Sequence, residues 1–437
     1  MSKQAVALCA LLLLTGEEAH GYSVLAHEAV IDSAWDDIKP LLLKRFPQTA
    51  PDALQQAHAY AYGGCIVQDM GYYPLGSHYF SDLAHYVRSG DFVQALLRDA
   101  RDVNELAFAF GALAHYSADN DGHPIAVNRA VAIEYPKLRA RYGDEVTYED
   151  DEAAHLKTEF GFDVIEVAQG NFAAKSYHDF IGFEVSKDLL ERAFRDTYGL
   201  ELKDQFASLD LALGTYRRTV STLLPEAAKV AWSLNRDQIV SAHPGITKRK
   251  FLYNIRRSDY EKEWGKDYRR PGIFARFLAF LFRIVPKVGP FKTLAIKAPT
   301  AQTQTLFMQS FNRTLDLYRT LFRQAAAGHL QLANTDFDTG RPTAPGEYRL
   351  ADQTYAKLLR DLAKHDFAGM SPELRANLLA FYRDPKPAVG NGSQSRKVNQ
   401  KAWADTLAAL EKLRAANGAS PQNDKVPVRG SSSEFGR

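Results

Sequence analysis

Apolar and small residues run almost unbroken from Asn104 to Ala114, a stretch of strong helix formers about three turns long. Between Asp179 and Leu211 apolar residues recur at helical spacing with charges of both signs between them, and this span also reads as helix. Strand-type alternation is scarce, so the pattern predicts an all-α chain. Punctuation at Gly63-Gly64, Tyr73-Pro74-Leu75-Gly76, Gly122-His123-Pro124 and Gly161 divides it into helices of ordinary length. No internal repeat of fixed period is present. At the start, Lys3 precedes an apolar run from Ala5 to Leu14 that is too short to span a bilayer. With the small residues Ala19 and Gly21 behind it, the run reads as a secretory signal over 1–21. A secreted or periplasmic protein beginning at Tyr22 is expected.

Farther along, the pattern changes character. Residues 246–297 hold fourteen Lys/Arg against four Asp/Glu, and within them Phe274–Val285 is an apolar run interrupted by Arg276 and Arg283. Such a segment suits the surface of an anionic membrane, arginines among the phosphates and rings below them. The chain is therefore read as signal 1–21, a main helical domain 22–240, basic amphipathic segment 241–300, helical C-terminal region 301–416 and disordered tail 417–437. At 46% hydrophobic and 24% charged, the composition is that of a globular chain with a substantial core. The formal net charge of +2 argues against a protein-wide nucleic-acid surface, and no specific nucleic-acid partner is expected. Cys9 and Cys65 are the two cysteines, so a chain that has lost its signal contains one thiol and no internal disulfide.

The chemistry concentrates early. Nine of the twelve histidines precede residue 179. His115 and Asp119 are one helical turn apart on a single face, and His123 follows near the end of the same helix, entered from the Asn104–Ala114 run. Unpaired ionisable groups at the end of a buried apolar helix are costly, and a divalent cation would satisfy them together. His155 and Glu159 repeat the one-turn spacing on a second helix, an imidazole and a carboxylate of the kind zinc takes. His27 and Asp69 complete a ligand-rich segment of the first 160 or so residues.

Over Tyr22–Phe162 these residues resemble the bacterial zinc-dependent phospholipase C family, which is similar in fold and metal site to the fungal single-strand-specific nucleases. The resemblance implies a multi-helix domain with a trinuclear zinc site, followed here by a C-terminal helical extension. One zinc would take Asp69, either His78 or His85, His115 and Asp119; a second, His123, His155 and Glu159. A third would take the amino and carbonyl groups of Tyr22 and His27, with Asp119 bridging to the first. The family's usual spacing after the aspartate implies His85, which is favoured, whereas His78 resembles its aromatic-flanked histidine; a heptad apart, the two share a helix face. The family also implies Asp69 as the base that orients the attacking water, and a phospholipid substrate split into diacylglycerol and a phosphorylated head group. Tyr60, Tyr62, Tyr72 and Tyr73 are candidates for the substrate entrance. Two other readings are a nuclease of the same metal architecture and a non-catalytic helical membrane-associated binding protein.

Overall fold

The Val103–Gly122 helix is the axis about which the other elements gather. Its N-terminus is capped by Asp102, whose carboxylate accepts the amides of Asn104 and Glu105 at 2.9 and 2.8 Å. Most of its side chains are buried, on every face, as an all-round apolar helix requires. The computed structural model describes residues 24–73, 75–169, 183–218, 236–237, 239–241, 298–386 and 400–416. The signal 1–21, Tyr22, the basic stretch 246–297 and the tail 417–437 lie outside the described residues. Among the described residues every regular element is a helix, apart from one isolated bridge between Thr335 and Pro342, so the chain is all-α. Among them no helix is long and apolar enough to cross a membrane.

Against the central helix lies Pro51–Ile66, and the two main chains touch. A Cβ at Gly64 would sit 1.9 Å from the Phe108 carbonyl oxygen, and one at Gly111 would sit 2.1 Å from that of Ala61. Gly63 likewise abuts the Glu184 carbonyl, which a Cβ would approach to 1.8 Å. These glycines are therefore packing surface inside a helix and not the turn expected at Gly63-Gly64; their missing side chains permit the close approach. Gly161 falls inside Glu152–Gln169, and Gly122-His123-Pro124 continues as one wide helical turn, His123–Val127. The span from Asp179 to Leu211 is helical over Lys187–Tyr198 and again from Leu209 onward. Gly199 ends the first piece in the left-handed conformation, φ 66°, open to glycine without strain.

The C-terminal helices share this core. Ala301–Ala326, opened by a capping box between Thr300 and Thr303, lies along the central helix, with the Tyr318 hydroxyl donating to the Phe110 carbonyl at 3.0 Å. Phe307 stacks on Phe162 at 4.7 Å. Arg349–Lys364, Pro372–Phe381 and Gln400–Ala415 extend one continuous apolar cluster to Leu413. The segment between Ala301–Ala326 and Arg349–Lys364 is thereby carried back over the ligand-bearing end of the central helix, where the Phe337 amide donates to the His85 carbonyl.

Candidate metal centre

Six elements deliver ionisable side chains to one buried volume. His27 comes from the first turn of Val24–Arg45, whose leading amides, those of Leu25 and Ala26, donate to the two oxygens of Asp163 at 2.8 and 2.9 Å. Asp69 sits on the tight turn Val67–Tyr72 after the Pro51–Ile66 helix. His85 is in the last turn of His78–Tyr86, and His115 and Asp119 lie on the central helix. His155 and Glu159 are on Glu152–Gln169. His123 opens the wide turn His123–Val127, where Pro124 has no N–H for the regular ladder and the His123 carbonyl instead accepts from Asn128. All of these residues are buried.

Asp119 is the hub. Its Oδ2 is 3.0 Å from His115 Nε2 and 3.6 Å from His85 Nε2, and its Oδ1 is 3.4 Å from His27 Nε2 and 4.0 Å from His123 Nε2. Asp69 Oδ1 is 3.2 Å from His85 Nε2, and Oδ2 is 4.0 Å from His27 Nε2. At the other end, Glu159 Oε1 is 2.7 Å from His155 Nδ1 and 3.7 Å from His123 Nε2. Tetrahedral zinc with bonds of about 2.1 Å separates its donor atoms by about 3.4 Å, the middle of this range.

The far nitrogens of these rings decide what the near ones present. His115 Nδ1 lies 2.9 Å from the Cys65 carbonyl oxygen and His85 Nδ1 lies 2.8 Å from that of Ser81. A carbonyl only accepts, so each Nδ1 carries a proton and Nε2 is the atom each ring turns inward, a lone pair once the ring is neutral. The two Nε2 atoms face each other at 3.4 Å with carboxylate oxygens beside them. With both rings neutral, two ring nitrogens and two carboxylate oxygens converge with no donor among them, and a proton on His85 or a bound cation resolves the arrangement. Both oxygens of Asp119 and of Glu159, and Asp69 Oδ1, are buried without a hydrogen-bond partner. The residues present therefore fit a divalent metal on their donor set and spacing.

Burial holds His27 and His155 down at about 3, so both imidazoles stay neutral. Burial also opposes charge on His85, but Asp119 and Asp69 outweigh it and raise that ring to about 10. Asp119 and Asp69 are pushed up by burial and brought below the usual carboxylate range chiefly by His115. Glu159 is raised well above it by burial and by Asp119, Asp69 and Asp338. In the metal-free protein, His85 and Glu159 thus keep protons that a metal must displace. Zinc binding at neutral pH is expected to release protons, and affinity to rise with pH until His85 titrates near 10. Calorimetric titrations in buffers of different ionisation enthalpy measure this; heats independent of buffer would count against the centre as drawn.

Not every candidate arrives. His78 is exposed at the start of its helix, edge-on to Tyr72 at 5.6 Å, and it is His85, one heptad on, that faces Asp69. Of the four tyrosines, Tyr72 stands at the cluster, 5.5 Å from the His85 ring. Tyr62 donates instead to Asp32, Tyr73 packs on Tyr216, and Tyr60 is half-buried against the core. One residue arrives that the sequence did not single out. Asp338 Oδ1 is 3.4 Å from His123 Nδ1 and 3.7 Å from His155 Nε2. Its surroundings, Asp336 to Gly340, read as an ordinary polar turn, with nothing to tie it to histidines so far upstream.

Residues 26–208 match the family model described as zinc dependent phospholipase C. No curated protein and no solved structure gives a significant match to the chain.

Proposed function

We infer, for a chain that belongs through residues 26–208 to the zinc-dependent phospholipase C family, that it hydrolyses phospholipids at the glycerol side of the phosphate. The products are diacylglycerol and a phosphorylated head group. The observation that carries the reading is Asp119, whose two oxygens address two separate sets of imidazoles, His85 with His115 and His27 with His123. A single carboxylate so placed suits a bridge in a multinuclear centre. Three zinc ions are proposed: one on Asp69, His85, His115 and Asp119; one on His123, His155 and Glu159; and one on His27 and Asp119, with the Tyr22 main-chain groups as its remaining donors. Bound zinc supplies Lewis acidity toward the phosphoryl oxygens and a water nucleophile at neutral pH. The chain's own residues do the rest. Asp69, whose Oδ1 is turned to His85, accepts the proton of the attacking water, and Tyr72 walls the approach beside His85. Cleavage of the signal before Tyr22 makes export and completion of the third site one event, and the basic stretch 246–297 holds the enzyme on an anionic membrane.

Incubation of the mature protein with choline or ethanolamine phospholipid, and separately with single-stranded DNA, tests the substrate. Release of phosphorylated head group is expected. Nucleotide release alone would reassign the chain to nucleic-acid cleavage, and a purified protein free of transition metal would sink the enzymatic reading altogether.

A further inference from the structure

Asp338 lies well beyond residue 208, where the family match ends, yet it is buried against the metal cluster. We propose that Asp338 is a positioning residue of the metal centre. Its carboxylate faces His123 Nδ1 as an acceptor for the N–H there and so fixes that ring with Nε2 toward Glu159 and Asp119, and its backbone carbonyl sets His155 through Asn128. The proposal rests on the zinc reading above and assigns part of the centre to the C-terminal helical region.

The carboxylate is held from one side and presented on the other. Oδ2 accepts the Tyr148 amide at 3.1 Å and the Tyr348 hydroxyl. Oδ1 is buried without a hydrogen-bond partner and lies 3.4 Å from His123 Nδ1. With Nδ1 protonated toward this oxygen, Nε2 is the lone pair, and it faces Glu159 Oε1 at 3.7 Å. A carboxylate, a histidine and a metal in line is the arrangement that fixes tautomer and ring orientation and raises ligand basicity.

The second histidine is set by the same residue through one intermediary. Asn128 Nδ2 donates to the Asp338 carbonyl at 2.7 Å, which settles the direction of the amide. Asn128 Oδ1 then lies 2.8 Å from His155 Nε2, so that nitrogen carries the proton and Nδ1 turns its lone pair to the side of Glu159 Oε1, 2.7 Å away. Thus His123 and His155 each have an acceptor behind them, as His85 and His115 have the carbonyls of Ser81 and Cys65.

The turn that carries Asp338 is built onto the site. The Phe337 amide donates to the His85 carbonyl at 3.2 Å, and the Phe337 ring stands 5.3 Å from His85 and 5.9 Å from His115. Gly340, with φ 69°, brings its backbone so close to Asn120 that a Cβ would meet the Asn120 carbonyl at 2.6 Å. One short turn therefore touches the histidines of both ends.

The test compares zinc affinity, by chelator competition with zinc alone, in the full mature chain and in Asp338→Ala, Asp338→Asn and Tyr348→Phe. Asp338→Ala is expected to weaken one zinc ion by roughly 10–100-fold and leave the others at wild-type affinity. Asp338→Asn retains an acceptor oxygen and is expected to recover part of the loss. Tyr348→Phe removes a support on Oδ2 and is expected to stay within a few-fold of wild type. Wild-type affinity for every ion in Asp338→Ala, or equal weakening of all of them, overturns the proposal. A wild-type chain that binds no zinc instead overturns the reading on which it rests. Should Asp338→Ala fail to fold, amide exchange of the wild-type chain with and without zinc decides: the Tyr148 and Phe337 amides are expected to exchange more slowly with zinc, and unchanged rates overturn the proposal.

Discussion

Asp119→Asn is expected to lower the proposed phospholipid hydrolysis by about a thousandfold or more, equivalent to about 4 kcal/mol of transition-state stabilisation, and to reduce the zinc bound per chain. The substitution keeps the shape of the side chain, so helix content should be unchanged. What changes is the sign of the groups presented. Asp119 Oδ2 meets His115 Nε2 at 3.0 Å and Oδ1 meets His27 Nε2 at 3.4 Å. An asparagine must turn an NH₂ toward one of these positions, placing donor hydrogens where a cation belongs and removing the negative charge that offsets its desolvation. The same change removes one of the two carboxylates that raise His85, so proton release on zinc uptake should shrink as well. Metal analysis and steady-state rates on the purified variant check the result together. A variant retaining full zinc and more than about a tenth of the rate would show that Asp119 is not the hub of the centre.

Which parts of this centre were legible beforehand follows from how each residue is encoded. His115 with Asp119 and His155 with Glu159 are one-turn pairs on helices, so a single periodicity places both members of each pair on one face. The choice between His78 and His85 was not open to periodicity, because residues a heptad apart share a face. It is resolved by depth along the helix, where His78 is at the exposed first turn and His85 at the buried last one. Asp338 carries no periodic signal, and its link to His123 exists only because Ala301–Ala326 packs along the central helix and returns the following turn to the site. Asn128 and Asp163 were invisible for a related reason. Each acts through a hydrogen bond to a group distant in sequence, His155 Nε2 in one case and the Leu25 and Ala26 amides in the other.

The all-α class was readable from the scarcity of alternation, but glycine was read too simply. Gly199 does end a helix, with a positive φ. Gly63, Gly64 and Gly161 do not; they lie inside helices, and the first two are there for what approaches them. Local sequence cannot separate these uses, because a glycine that permits a left-handed turn and one that admits a neighbouring backbone look alike until the partner is in place.

That difference gives the second large effect. Gly64→Ala is expected to destabilise the protein by about 3 kcal/mol or more, at or beyond the upper end of ordinary overpacking, and to weaken zinc binding although Gly64 has no side chain to offer a metal. The new methyl would lie 1.9 Å from the Phe108 carbonyl oxygen and 2.8 Å from its carbon. Both belong to the main chain of a helix buried on all sides, so relief requires the Pro51–Ile66 and Val103–Gly122 helices to part by about an ångström, a gap that also forfeits dispersion contacts along the interface. The next residue, Cys65, offers the carbonyl that fixes His115 Nδ1 at 2.9 Å, and parting the helices lengthens that bond and frees the ring to turn. Gly111→Ala should behave alike from the opposite wall, since its Cβ would meet the Ala61 carbonyl at 2.1 Å one turn before His115. Gly214→Ala is the control: it lies in the Leu209–Arg218 helix with nothing within 4 Å of the added carbon, and there the lower entropy of the unfolded chain should stabilise the protein by about 0.4–1 kcal/mol. Denaturant unfolding of the zinc-free forms, followed by zinc titration of each, separates the two consequences. If Gly64→Ala and Gly214→Ala unfolded at the same midpoint, the close crossing of the two helices would be refuted, and with it the account of how His115 is held.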